Sequence, residues 1–136
     1  MLKQFLSRLQ PKVKRQLGFR LARELEDCAK DIMAVFGVTD FQRDYEDTWE
    51  WIEGESAERL RVNISRPHNW KTGEYEVPVI VKVSGRASRL TDELFALDAQ
   101  RLAGALKTEV WSGTGASGKS ERHYDFEIKE RFKPTD

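Results

Sequence analysis

A chain of 136 residues is the size of one domain, 1–136, able to bury roughly two-thirds of its unfolded surface in a single core. Its 39% hydrophobic and 34% charged content is ordinary for a soluble protein, and no apolar run approaches the roughly 20 residues that span a bilayer. Basic and acidic side chains both number 23, so the total charge argues for neither nucleic acid nor acidic lipid as a partner.

In chain order, Leu2, Phe5, Leu6 and Leu9 stand at helical spacing with Lys3 and Arg8 between them, which predicts a short first helix with a basic face. Pro11 separates it from a second helix expected over 12–36. Leu17, Leu21, Leu25, Cys28, Ile32 and Val35 follow each other by three or four, one stripe of a 3.6-residue helix, and Gly37 stands at the stop. Cys28 is the one cysteine. It excludes an intrachain disulfide and reads as a small buried hydrophobe in a reducing, cytoplasmic setting.

From Asp40 to Glu53 the period changes to two, with Phe41, Tyr45, Trp49 and Trp51 on one parity. One strand is expected there, its aromatic residues on the core face and Asp44, Glu46 and Glu50 on the solvent face beside Glu53. A second strand, 58–65, carries Leu60, Val62 and Ile64 on one face, and a third, 77–84, carries Val77, Val79, Val81 and Val83. Between them a loop from Arg66 to Tyr75 holds His68, Asn69 and Trp70, residue types suited to recognition. Thr91 followed by Asp92 and Glu93 reads as a capped helix start, with Leu90 and Phe95 at staple positions. Strands over 108–112 and 122–132 complete the chain. The order is α-α-β-β-β-α-β-β, an α+β domain with one antiparallel five-stranded sheet and its helices on one face.

Gly113 to Ser120, GTGASGKS, fits the phosphate-cradling pattern GxxxxGK[ST] at every fixed position. The chemistry also needs a helix after the loop and a later acidic strand end. The short remainder of the chain reads as a strand, so a glycine hairpin is expected. His68 and His123 have no metal-ligand spacing, and neither Ser65 nor Cys28 sits in a nucleophile motif. No metal, cofactor or catalytic role is therefore assigned.

Charge is uneven along the chain: residues 1–30 carry eight basic and three acidic side chains, and residues 31–60 two basic and nine acidic. An acidic surface next to Trp and Tyr suits a basic protein partner and repels phosphate, so nucleic acid is disfavoured. The expected contact residues are Asp44, Glu46, Trp49, Glu50, Glu53, Arg66, His68, Trp70 and Tyr75. In size and element order the chain resembles small bacterial immunity proteins, which neutralise basic toxins through acidic surfaces. It is also similar to type III secretion chaperones, from which it departs in lacking a closing helix after Phe132 and a strongly acidic pI. The first resemblance implies a toxin-neutralising protein that acts by occlusion, the second a chaperone. A small-ligand binder or enzyme using the Arg66–Tyr75 loop is the remaining alternative.

Overall fold

A computed structural model describes residues 11–46, 49–67, 78–115 and 126–135. The chain runs β1 (Lys12–Phe19), α1 (Leu25–Val35), β2 (Phe41–Glu46), β3 (Trp49–Glu55), β4 (Arg61–Pro67), β5 (Val79–Arg86), α2 (Asp92–Leu106), β6 (Val110–Gly115) and β7 (Phe126–Phe132). All seven strands form one sheet in the order β2-β3-β4-β5-β1-β6-β7, every neighbouring pair antiparallel. The α+β class and the single antiparallel sheet are as expected. The strand count is seven, not five.

Two corrections account for the difference. Residues 12–19 form a strand near the centre of the sheet, not the start of a helix over 12–36. The cause is aliasing: Leu17, Leu21 and Leu25 are four apart, a spacing that satisfies period two as well as 3.6. The strand signal was the alternation of Val13, Arg15, Leu17 and Phe19 with Lys12, Lys14, Gln16 and Gly18. Residues 40–53, expected as one strand, are the hairpin β2–β3. Reversal of the chain between Glu46 and Trp49 changes which parity faces the core. The expected helix over 1–10 lies outside the described residues.

The core lies on one face. Register places Leu17, Val81, Ile64 and Ile52 in one row across β1, β5, β4 and β3. They join Leu25, Cys28, Ile32 and Met33 of α1 and Phe95, Ala99, Leu102 and Leu106 of α2 in a single buried cluster. Helix α2 starts as its sequence dictates, with the Thr91 hydroxyl accepting from Leu94 N at 3.2 Å and Asp92 and Glu93 in the first turn. Helix α1 ends before Gly37, whose φ is 74°.

Candidate interaction face and the cleft beside it

Opposite the helices, alternate residues of the same strands face away from the core. One row runs Asp44, Trp51, Ser65, Ile80, Gly18, Trp111 and Arg131, crossing the whole sheet. A second runs Glu55, Arg61, Ser84 and Lys14. Charge is segregated on this face. Asp44, Glu53 and Glu55 are exposed on β2 and β3, with exposed Arg61 of β4 opposite Glu55; Lys12 and Lys14 are exposed on β1 with half-buried Lys82 and Arg86 beside them on β5, and Ser65 and Ile80 between are buried. Trp51, Trp111 and Phe126 are half-buried along the middle.

At the far end of the face the β6–β7 pairing has a register irregularity between Ser112 and Gly113. Phe126 then lies over Gly18, so close that a Cβ there would meet its ring at 2.9 Å, and a Cβ on Gly115 would come within 2.6 Å of Ile80 Cδ1. A side chain at Gly18 would force the Phe126 ring to shift, and one at Gly115 would displace the end of the Ile80 side chain. Beside them the Trp111 and Phe126 rings stand 5.9 Å apart. The indole Nε1 of Trp111 donates to Glu109 Oε1 at 2.7 Å, and Arg131 Nη1 donates to the same oxygen at 2.6 Å. These two donors, the indole first, hold the Glu109 carboxyl below the usual carboxylate range.

Several residues expected at the contact surface belong elsewhere. Glu50, expected on the solvent face, is 4% exposed and lies on the helix side of β3, where Arg43 reaches it. Arg43 also pairs with Glu26 of α1 at 3.1 Å. Arg66, expected in a recognition loop, is inside β4 and 1% exposed, and its Nη1 donates to Arg23 O at 2.9 Å. Its sequence signal was the parity it shares with Leu60, Val62 and Ile64. Trp51 was expected on the core face; it faces away from the helices, because Ile52 takes the core position. Glu46 and Trp49 end β2 and begin β3. His68, Trp70 and Tyr75 lie outside the described residues.

Buried charge on the helix side serves the fold. Arg89 and Asp98 make a two-point pair at 2.9 and 3.0 Å, with Asp98 3% exposed. Cys28 is wholly buried, and burial pushes its thiol pKa up against the opposing pull of Arg23 and Arg66.

Beside the β1–β6 pair lies a cleft of about 480 Å³, lined among others by Lys14, Arg15, Phe95, Ser112, Glu127 and Lys129. It follows from the pairing: β1 is bonded to β5 over Lys12–Phe19 but to β6 only over Gln16–Gly18. Arg15 is already engaged, with Asp92 at 2.8 Å, Leu90 O at 3.1 Å and the Phe95 ring 4.7 Å beneath it. Three cations against one carboxylate give the cleft a positive bias.

The phosphate-loop pattern has no phosphate-loop setting. Gly113 and Gly115 lie in β6, antiparallel to β7, and the described chain resumes as that strand. Positions 116–120 lie outside the described residues. Among the described residues no group of three or more His, Cys, Asp or Glu suits a metal ion, and no helix is long and apolar enough to cross a membrane. No protein-family model matches the chain, and no curated protein is significantly similar to it.

Proposed function

We propose that the chain is a protein-binding module that acts in the cytoplasm by occluding a basic protein partner. The observation that carries this reading is the sequence of side chains at the β2–β3 end of the helix-free face: exposed Asp44, Glu53 and Glu55 around half-buried Trp51. A tryptophan with Asp44 across from it and Glu53 two residues along its strand supplies apolar contact area and a field that steers cations to it. Toxin neutralisation by a bacterial immunity protein is the form of this activity that the chain's size and acidic segment favour, and secretion chaperoning is the alternative within the same class. Glu50 and Arg66 have no part in it, since both are buried.

The test is capture from the native host with wild-type bait and with an Asp44→Lys/Glu53→Lys/Glu55→Lys bait. One basic protein retained by the wild type, released by salt and absent from the variant is the expected result. Equal retention by both baits overturns the reading. A second reading rests on the cleft, whose volume falls in the roughly 300–1,000 Å³ range of small-molecule sites and whose Lys14 and Lys129 favour an anion. Titration with inorganic phosphate and with adenosine 5′-monophosphate tests it, and Lys14→Ala/Lys129→Ala should abolish any binding seen.

A further inference from the structure

The sheet ends in two strands whose outer edges differ. Among the described residues β2 and β7 each pair on one side only, β2 with β3 and β7 with β6. The β7 edge is blunted. Its register with β6 skips Lys129, and the strand holds Lys129 and Arg131 in solvent, the kind of irregularity and charge that keeps sheet edges from pairing. The β2 edge is plain: it pairs with β3 position for position without a shift, contains no proline or glycine, and leaves Gln42, Arg43 and Asp44 exposed. We infer that β2 takes an added strand, an extended segment of a partner protein in which cationic and uncharged side chains alternate. The inference rests on the reading of the β2–β3 end as the contact surface, and names what that end holds and how.

Register supplies the alternation. Asp44 is paired with Trp51 and Gln42 with Glu53, both pairs on the helix-free face. A residue of the added strand opposite Asp44 therefore lies next to a carboxylate. The residue two along lies opposite Gln42, with Glu53 two strand spacings away, about 10 Å, a span that a lysine and a glutamate cover together. The residue between these two turns to the helix side, where Arg43 stands between Glu50 and, at 3.1 Å, Glu26. A cation beside Arg43 would be repelled, so an uncharged side chain fits there. Main-chain hydrogen bonds to β2 supply affinity without reading sequence, and the alternate side chains supply the selection.

The same charges reject a second copy. Antiparallel pairing of β2 with its own equivalent across a two-fold axis, the helices kept on one side, sets like residues together. Centred on Arg43 it opposes Arg43 to Arg43, and centred on Asp44 it opposes Asp44 to Asp44. A strand with cations on one face and uncharged residues on the other meets neither conflict.

NMR titration at low salt tests the inference with an eight-residue peptide of alternating lysine and threonine, capped at both ends. Its control is the same sequence N-methylated at every backbone nitrogen, which keeps the charge and cannot pair as a strand. The unmethylated peptide should bind, slow hydrogen exchange of the β2 amides and leave that of the β7 amides unchanged. The methylated peptide should bind at least tenfold more weakly. Asp44→Lys/Glu53→Lys, checked by circular dichroism, should weaken the unmethylated peptide by a similar factor. Equal binding of the two peptides, binding that leaves β2 exchange unchanged, or no binding of the unmethylated peptide at millimolar concentration overturns strand addition. The contact reading fails separately: capture of a basic protein through the acidic end, with the two peptides bound equally, sinks strand addition alone. Peptide binding undiminished by Asp44→Lys/Glu53→Lys overturns the cationic requirement together with the acidic-end reading.

Discussion

The two faces of the sheet are written by alternate residues of the same strands, yet they follow different rules. On the helix side, Leu17, Val81, Ile64 and Ile52 are at most 1% exposed, and the charges admitted there are placed against partners: Glu50 with Arg43, Asp98 with Arg89. On the other side, Asp44, Glu53, Arg61, Lys12 and Lys14 stand in solvent, the carboxylates on β2 and β3 and the cations on β4 and β1. Packing explains the first pattern completely. It does not explain the second, because exposed charges sorted by sign do little for stability and repel their own neighbours. The comparison therefore separates residues that make the fold from residues that the fold presents.

Substitutions should divide along the same line. The largest loss is expected at the centre of the core face: Leu17→Ala should cost about 3 kcal/mol in urea denaturation, whereas a value under about 1 kcal/mol would remove β1 from the middle of the sheet. Asp98→Ala leaves Arg89 without its carboxylate in a partly buried site and should cost about 2 kcal/mol. Double substitution with Arg89→Met should recover part of that loss if the pairing is its cause. Thr91→Ala removes the cap of α2 and should cost about 1 kcal/mol, read as a lower denaturation midpoint at unchanged slope.

Smaller effects sharpen the comparison. Because the folded Cys28 thiol has a raised pKa, its contribution to stability is complete below the unfolded thiol's pKa and is lost as pH rises through the folded value. The thiol should resist a disulfide reagent at mildly alkaline pH until the protein unfolds, and rapid labelling of the native protein would place it at the surface. On the helix-free face, Glu53→Lys should move stability by no more than about 0.5 kcal/mol while weakening capture of a basic partner. A large stability loss there would assign this face to the fold and erase the distinction.

How much of this was legible in the sequence depended on how many structures one spacing can satisfy. The alternation in β4 and β5, the Thr91 start of α2 and the burial of Cys28 each had one reading, and each is found. The 12–19 segment had two, since leucines four apart fit both periods; the alternation of Val13, Leu17 and Phe19 with Lys12, Lys14 and Gln16 was the signal that argued for a strand. The β2–β3 hairpin hid because a reversal inside a charged, aromatic run leaves no glycine or proline behind. Of the expected contact residues, Asp44 and Glu53 stand on the helix-free face, while Glu50 and Arg66 were drawn inward. Arg66 continues the core parity of β4, and Glu50 shares its face with Ile52. The sorting of charge by sign was beyond a linear reading, because Lys14 and Glu55 share a row only through three strand registers.

The most direct measurement is the set of backbone amide chemical shifts of the isotopically labelled protein, followed at low salt while a cationic peptide, oligolysine, is added and then on adding salt. The acidic-face reading predicts shifts at Asp44, Trp51, Glu53 and Glu55 that salt reverses, with Leu25–Val35 and Asp92–Leu106 unmoved. Shifts confined to the two helices would contradict it.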